Sequence, residues 1–190
     1  MNYIEGTRRL DELRKQIAAT RGEMHKLQAA IEPEEVRDYT FATTQGETRL
    51  SQLFGGGQDL FVIHNMGSAC PYCTLWADGY NGIYDHLASR AAFVVSSPDA
   101  PDVQQRFAAA RGWRFPMISH RGSSFAEDMG YRSASGGWLP GVSVFRLKAG
   151  RIYRVSDSGF SPSDDFCTLW HFFELLPDDA GEWQPRLRYT

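Results

Sequence analysis

Residues 60–95 read LFVIHNMGSACPYCTLWADGYNGIYDHLASRAAFVV. The stretch begins with an apolar run, Leu60 to His64, which is typical of a strand buried on both faces. A loop leads to Cys70-Pro71-Tyr72-Cys73, and the apolar residues after it recur at helical spacing. A second apolar run, Ala92 to Val95, ends the stretch. Strand, helix and strand within about 35 residues predict a right-handed parallel βαβ unit.

The residues after this unit predict two further helices and a β-hairpin. Apolar residues at helical spacing indicate helices over 102–111 and 164–176. The segments 142–145 and 151–155 have the composition of strands, and a short Gly-containing turn joins them, so we expect a hairpin. Three shorter elements are expected as well: strands at 38–43 and 115–119, and a helical turn at 124–131.

An amphipathic helix is predicted at the start of the chain, from about Thr7 to Ile31. Its apolar residues recur at steps of three and four: Leu10, Leu13, Ile17, Met24, Leu27 and Ile31. The stripe is narrow, as in a coiled coil, and leaves open whether the helix packs on its own domain or pairs with a second subunit. We expect a homodimer through this helix. The chain then divides into a helical extension at 1–34, a domain at 35–177 and a tail at 178–190.

Composition and charge limit the classes of function. The chain has 190 residues, of which 42% are apolar, and a formal net charge of −3. This charge gives no electrostatic reason to expect nucleic acid or an anionic membrane as a partner. The sequence lacks a long apolar run and a signal-peptide pattern, so we expect a cytoplasmic protein. Three cysteines in a reducing compartment do not indicate a disulfide framework, and a Cys-x-x-Cys pair there indicates redox chemistry or a metal site.

Cys70 and Cys73 are the candidate reactive residues because their spacing suits thiol–disulfide exchange. Cys70 precedes the predicted helix, where unpaired backbone N–H groups and the helix dipole stabilise a thiolate. Pro71 fits the first helical position because it has no N–H group to leave unpaired. Cys73 follows one turn later, so we expect attack by Cys70, a mixed disulfide and release by Cys73. The alternative is a pair of buried, inert cysteines.

The order of the elements resembles that of the thioredoxin-like superfamily, and local features match it too. The letters of Cys70-Pro71-Tyr72-Cys73 are those of the glutaredoxin active site, at the same strand-to-helix junction. Leu139-Pro140-Gly141 precedes the first hairpin strand, where this superfamily places its cis-proline. The segment from Tyr39 to His64 resembles the opening hairpin of the peroxiredoxins and the cytochrome-maturation thioredoxins.

A further resemblance covers nearly the whole chain. The stretch Asp38 to Gly82, including Trp76-Ala77-Asp78 and Asn81-Gly82, is similar to a bacterial thioredoxin-like family catalogued as domain of unknown function 899. The resemblance implies an α/β fold, a three-layer sandwich with a central mixed sheet and helices on both faces. From the Cys70-Pro71-Tyr72-Cys73 motif we expect a dithiol oxidoreductase that acts on a protein or small-molecule disulfide, and we expect no cofactor.

The superfamily resemblance also implies roles for residues near the two cysteines. It implies that Pro140 is cis, lies against the cysteine pair and leaves the preceding backbone free to pair with an extended substrate. Thioredoxins have a buried Asp at the position of His64, which makes His64 a candidate for proton transfer to the resolving thiol. The alternative is a core histidine with a satisfied hydrogen bond. The substrate site is expected to include Pro71, Tyr72, Trp138 and Leu139, although Trp138 has packing as its alternative.

Three other functions remain open. The first is a thioredoxin-like binding or scaffolding module without catalysis. The second is a zinc site, because Cys70, Cys73, Cys167 and His171 form a Cys-x2-Cys plus Cys-x3-His set, although we assign no metal. The third is a peroxidase. Peroxiredoxins have the pattern Pro-x-x-x-Thr-x-x-Cys, whereas this chain has Ser68 near the threonine position and lacks the proline. Without a zinc site, Cys167 is expected to be a buried packing thiol.

Overall fold

The computed structural model of the protein describes residues 1–189, so that Thr190, the last residue of the predicted tail, lies outside it. The described chain forms two compact units, one of Met1–Pro33 and one that begins at Glu34. The first unit contains helix α1 (Tyr3–Ala30), which Asn2 caps by accepting the backbone N–H of Glu5 at 2.9 Å. No residue of α1 is buried. The predicted amphipathic helix is therefore present, and it begins four residues earlier than expected.

The second unit is built on one mixed sheet. Within residues 1–189 its strands are β1 (Glu34–Val36), β2 (Thr40–Thr43), β3 (Gly46–Arg49), β4 (Asp59–His64), β5 (Ala92–Ser97), β6 (Met117–Ser119), β7 (Gly141–Lys148) and β8 (Arg151–Gly159). They lie across the sheet in the order β1-β8-β7-β4-β5-β6-β2-β3. The pairs β4–β5 and β5–β6 are parallel, whereas β7, β8 and the outer strands pair antiparallel. This arrangement confirms the central mixed sheet.

Helices cover both faces of this sheet. They are α2 (Pro71–Arg90), α3 (Pro101–Arg111), α4 (Phe125–Asp128) and α5 (Thr168–Phe173), with a 3₁₀ helix at Leu50–Phe54. Because α2 connects the parallel strands β4 and β5, the predicted βαβ unit is confirmed. Among the described residues, no helix combines the length and the apolar character that a membrane span requires.

The sheet separates two apolar clusters, because side chains alternate between the faces of a strand. Leu60 and Val62 of β4 lie in one cluster with Phe125 of α4. Ile63 lies in the other cluster with Trp76 of α2, and α3 and α5 add side chains to it. The uninterrupted apolar run of β4 therefore reflects burial on both faces, and the expected three-layer sandwich is confirmed.

The closing helix is shorter than the predicted helix at 164–176. The Asp164 carboxylate accepts the backbone N–H groups of Ser161 at 3.1 Å and Phe166 at 2.9 Å. These bonds hold the segment before α5 in a turn, so that the helix begins only at Thr168. The tail packs on α5, with the Trp183 ring centroid 4.9 Å from that of Phe173.

Strand β1 was not expected, because Glu34 and Glu35 give its sequence no apolar pattern. It forms by pairing antiparallel with β8, and Arg154 of β8 donates to the Glu34 carboxylate through Nε at 2.9 Å. The hairpin β7–β8 is also longer than predicted, since it extends to Lys148 and to Gly159.

Two polar residues of α2 attach this helix to the connection between α3 and β6. The Asp78 carboxylate accepts a hydrogen bond from Nε of Arg111 at 2.9 Å and another from Nε1 of Trp113 at 2.8 Å. Asn81 accepts the backbone N–H of Arg114 at 2.9 Å. Asp78 and Asn81, which carry part of the family resemblance, thus hold secondary structure elements together.

Candidate active site

Cys70 is the N-cap residue of α2, with an extended backbone at φ −92° and ψ 110°. Pro71 occupies the first helical position, as expected, and the Cys70 Sγ accepts the backbone N–H of Cys73 at 3.2 Å. The hydrogen bond from the Cys73 thiol, aided by the backbone N–H groups of Cys73 and Tyr72, lowers the pKa of Cys70 to about 6 against the opposing effect of burial. The half-buried Cys70 is therefore a thiolate at neutral pH.

Cys73 lies one turn further along α2 and has the opposite protonation preference. Its side chain is 3% exposed, and its Sγ accepts the backbone N–H of Met66 at 3.4 Å. The hydrogen bond to the Cys70 sulfur and then burial raise the pKa of Cys73 far above its usual value. The pair thus combines a thiol of lowered pKa with a buried neighbour of raised pKa.

The loop between β4 and Cys70 is shaped by two residues that sequence reasoning missed. Asn65 accepts the backbone N–H of Gly67 at 2.8 Å, and Asp99 accepts that of Ser68 at 2.7 Å. Gly67 has φ +108°, and a Cβ atom there would lie 3.3 Å from the Asp99 carboxylate oxygens. Asp99 follows the parallel strand β5, so its nearness to the loop after β4 could have been inferred, because such strand ends meet at one sheet edge.

Aromatic side chains join the first turn of α2 to α5. The Tyr72 ring centroid lies 6.3 Å from that of Trp76 and 6.3 Å from that of Trp170. Nε1 of Trp76 donates to Asp164 at 3.3 Å. Pro71 and Tyr72 are only partly buried, so that they border Cys70 as the substrate-site prediction requires.

The residues of the alternative zinc set do not assemble. Cys167 is buried at the start of α5, and burial raises the pKa of its thiol. The exposed ring of His171 instead lies 3.2 Å from Glu174 and 3.5 Å from Asp165. Across residues 1–189, no three His, Cys, Asp or Glu side chains are placed to hold a metal ion together.

Pro140 does not have the expected cis peptide bond, since every peptide bond in the described part of the chain is trans. The backbone on both sides of it is already paired: Leu139 N–H donates to Tyr131 O at 3.0 Å, and Phe160 N–H donates to Pro140 O at 2.9 Å. The Leu139 N–H is therefore not free to pair with a substrate, which corrects that expectation. The next residue, Gly141, pairs with the last residue of β4, which places Pro140 at this end of the sheet.

Trp138 and Leu139 differ in their surroundings. The Trp138 ring lies edge-on to His120 at 4.8 Å between centroids, and the Arg132 guanidinium lies 4.6 Å above it. These contacts match the packing alternative for Trp138. The Leu139 side chain remains 41% exposed and available to a ligand.

His64 lies at the end of β4, on the sheet face opposite to α2. Its Nε2 is 2.9 Å from Ser143 Oγ, and its side chain is 2% exposed. Burial lowers the pKa of His64 well below its usual value, with smaller effects of His120 and Arg154 in the same direction. Its contacts are with Ser143 and with aromatic rings, not with a thiol, so the structure does not bring His64 beside Cys73.

A second buried histidine, His120, follows β6 on the same face. Its Nδ1 lies 2.9 Å from Ser96 Oγ, and burial lowers its pKa to about 4. His64 Nδ1 and His120 Nε2 have no hydrogen-bond partner among the described residues. Both rings are therefore neutral at neutral pH, and each leaves one nitrogen unsatisfied inside the fold.

The fold and the site can be compared with known proteins. No curated protein sequence matches the chain. Among solved structures, peroxiredoxin Q of Xanthomonas campestris is similar with a TM-score of 0.57 and 16% identity over 70% of this chain and 87% of that one. Peroxidoxin BcpB of Mycobacterium tuberculosis is similar with a TM-score of 0.52 and 24% identity over 64% and 80%. Reduced Prx3 of Vibrio vulnificus is similar with a TM-score of 0.54 and 14% identity over 70% and 89%.

These similarities show a thioredoxin-like fold of the kind found in peroxiredoxins, with a Cys-x-x-Cys pair at the start of α2. A family model described as "Bacterial protein of unknown function (DUF899)" matches residues 3–186. Because this match covers nearly the whole of a chain with that fold, the protein belongs to the DUF899 family.

Proposed function

We propose that this protein is a dithiol–disulfide oxidoreductase whose nucleophile is Cys70 and whose resolving thiol is Cys73. The observation that carries the proposal is the placement of the two sulfurs: the Cys70 Sγ caps α2 and accepts the backbone N–H of Cys73 at 3.2 Å, and Cys73 is buried one turn further along the helix. The pKa of Cys70 is lowered to about 6, while that of Cys73 is raised. Exchange chemistry needs this division, because a thiolate starts the reaction and a retained thiol completes it.

The reaction has two steps, which balance in atoms and electrons. The Cys70 thiolate attacks one sulfur of a substrate disulfide, and the other substrate sulfur leaves as a thiolate. In the second step the Cys73 sulfur attacks the Cys70 sulfur, and the proton of Cys73 passes to the substrate sulfur that was bound to Cys70. This step forms the Cys70–Cys73 disulfide and releases the second substrate thiol. A second dithiol reduces the protein again. No cofactor takes part in these steps, and the substrate is a protein or a small-molecule disulfide.

The competing proposal is a binding module that keeps the fold without its chemistry. It predicts that a protein with Cys70→Ser and Cys73→Ser keeps its partner and its cellular effect. A peroxidase is supported less well. The residues at the positions of the peroxiredoxin proline and threonine are Ile63 and Gly67, and structural similarity at 16% identity shows the fold alone.

The deciding experiment is a redox titration of the folded protein. The protein is equilibrated in glutathione buffers, free thiols are alkylated, and each cysteine is analysed by mass spectrometry. We expect a reversible Cys70–Cys73 disulfide with a potential between roughly −270 and −120 mV, the range of known exchange proteins. Cys167→Ser is the matched control and should leave this potential unchanged, because the Cys167 thiol is buried and lies outside the pair.

Two results would contradict the proposal. The first is a pair that stays reduced in every buffer. The second is a Cys70 that does not react with the alkylating agent while the protein is folded. A parallel assay of peroxide consumption separates exchange from peroxidase chemistry, since the exchange protein should oxidise faster with a disulfide than with a peroxide.

A further inference from the structure

The apolar residues of α1 follow a seven-residue repeat. Leu10, Ile17 and Met24 lie seven residues apart and occupy the first position of the heptad, a, while Ile31 continues this spacing just after the helix ends. Leu13, Thr20 and Leu27 lie seven residues apart and occupy the fourth position, d. Such a repeat over three heptads is typical of a coiled coil, because it keeps one stripe of the helix facing a partner helix.

This stripe is uncovered in the isolated chain. The exposed fraction is 69% for Leu27, 64% for Met24 and 52% for Ile17, and even Leu13 is 43% exposed. Within α1 the seam runs from Leu10 to Leu27, which corresponds to about 27 Å at about 1.5 Å per residue. A regular apolar seam of this length and exposure is characteristic of an interaction surface.

A second α1 fits this seam best. A partner helix must carry the same repeat over a similar length, and the other helices within residues 1–189 do not. α2 has 20 residues and buries its apolar side in the second unit, while α3 has 11 residues and α5 has 6. We propose that two copies of this chain pair through α1 as a parallel, in-register, two-stranded coiled coil.

The identity of the core residues favours the parallel arrangement. Ile17 at a, with Leu13 and Leu27 at d, suits a two-stranded coiled coil. In the parallel arrangement the polar Thr20 meets Thr20 of the partner subunit in one layer. The antiparallel arrangement that overlaps the two seams most fully would place Thr20 against Ile17 in two layers.

The charges beside the seam are compatible with this pairing. Arg9 and Arg14 occupy flanking positions that face each other across a parallel dimer, where two free positive charges would repel. Each also pairs with an acid of its own helix, since Arg14 lies 2.7 Å from Asp11 and Arg9 lies 3.6 Å from Glu12. These exposed pairs, together with screening by salt, weaken the repulsion across the seam.

Sedimentation equilibrium of the full chain tests the association. We expect a mass of twice 21.4 kDa. Ile17→Lys places a charge in the seam and should weaken the dimer at least about 100-fold, because an unpaired charge is buried. Ala18→Lys adds the same charge one position away, outside the seam, and should leave the dimer intact. Circular dichroism confirms that both variants remain folded.

The outcomes are distinct from those of the redox proposal. A wild-type mass other than that of the dimer, or a dimer that Ile17→Lys leaves intact, overturns the proposal. So does an equal loss of association in Ala18→Lys. The alkylation rate of Cys70 should be the same in all three proteins, because the coiled coil does not involve the cysteine pair.

Disulfide trapping tests the orientation of the two helices. In a background of Cys70→Ser and Cys73→Ser, Leu10→Cys should give a covalent dimer on mild oxidation with diamide, because the same position of both subunits shares a layer. Lys15→Cys, which points away from the seam, should not. A dimer that forms only when Leu10→Cys and Leu27→Cys are combined would show an antiparallel pair and overturn the parallel arrangement.

Discussion

The imidazole ring of His64 stacks on the phenol ring of Tyr131, with the ring centroids 3.7 Å apart and the planes 10° apart. His64 also hydrogen-bonds to Ser143 on the sheet face opposite to α2. We therefore expect His64→Phe to leave the alkylation rate of Cys70 unchanged across neutral pH. The substitution leaves the buried Ser143 hydroxyl without this partner, so it should lower the free energy of unfolding by about 1–3 kcal/mol.

Iodoacetamide alkylation and urea unfolding of the wild type and His64→Phe measure both effects. A slower alkylation of the variant, or a shift of its pH profile with unchanged stability, would restore the proton-transfer role for His64.

The reactivity of Cys70 should follow the ionisation of its own thiol. The alkylation rate should rise with pH, reach half of its maximum near the pKa of about 6, and be constant above neutral pH. Cys73→Ala removes the largest cause of the lowered pKa, the hydrogen bond from the Cys73 thiol, and should move this midpoint to higher pH. Mass spectrometry of Cys70 alkylated over a pH series measures the shift. Cys167→Ala is the control and should leave the midpoint in place, whereas a midpoint that Cys73→Ala also leaves unchanged would assign the low pKa to the helix terminus alone.

Acid should destabilise the fold through its two buried histidines. His120 has a pKa of about 4 in the folded protein, lower than the usual value of about 6.5 that it regains on unfolding. Between these values the unfolded chain binds the proton and the folded protein does not, so stability is complete above about pH 6.5 and falls as the pH decreases. The expected slope is about 1.4 kcal/mol per pH unit for each such histidine.

Urea unfolding over a pH series tests this dependence. His120→Gln should reduce the slope, whereas His25→Gln, which removes an exposed histidine of α1, should not. Equal slopes in the two variants would mean that other groups cause the acid sensitivity.

Gly141 has no space for a side chain. A Cβ atom there would collide with the Tyr131 ring and lie 2.6 Å from the backbone oxygen of Ser158. We expect Gly141→Ala to lower the free energy of unfolding by about 2 kcal/mol or more, because the backbone around Gly141 and Ser158 must shift to make room for the methyl group. Gly159 pairs with Gly141 across the hairpin and has no atom within 4 Å of its Cβ position, so Gly159→Ala is the control. Chemical unfolding of both variants gives the comparison, and similar stabilities would contradict the steric argument.

Asp78 should contribute more to stability than Asp85, a more exposed acid of the same helix. Asp78→Ala leaves the indole N–H of Trp113 without its acceptor, which should cost about 1–3 kcal/mol. Asp85→Ala breaks the ion pair between Asp85 and Arg114. Because the Asp85 side chain is 74% exposed, this loss should cost at most about 1 kcal/mol. Thermal unfolding of both variants compares the two losses, and a larger loss for Asp85→Ala would show that the Asp78 contacts are weak.

The centre of the fold was predictable because its elements carry their own signals. β4 and β5 are apolar runs buried on both faces, and the proline after Cys70 indicates where α2 begins. β1 was not predictable, since its pairing with β8 depends on a contact between Glu34 and Arg154, which are distant in the sequence. The predicted start of α5 was wrong, because the side chain of Asp164 accepts hydrogen bonds from nearby backbone N–H groups and so competes with helix formation.

The candidate site also combines features that the sequence predicts with features that it does not predict. The position of Cys70 and Cys73 at the start of a helix was predictable from local spacing, and the structure has the pair there; their roles stay a proposal. The position of Pro140 at the end of the sheet was also inferred, but its peptide geometry was not, because it depends on how Leu139 is held by Tyr131. The contribution of Asp99 to the loop before Cys70 was missed, although the predicted parallel pairing of β4 and β5 brings the ends of both strands to one edge of the sheet.

Asp78 and Asn81 fasten α2 to the next connection without touching either sulfur. A chain that keeps these two side chains and replaces Cys70 would be expected to reach the same fold and to lack exchange chemistry. Shared ancestry and shared activity can therefore diverge within this group of proteins. In assigning a biochemical role to any new member, the two sulfur atoms are more informative than the overall similarity score.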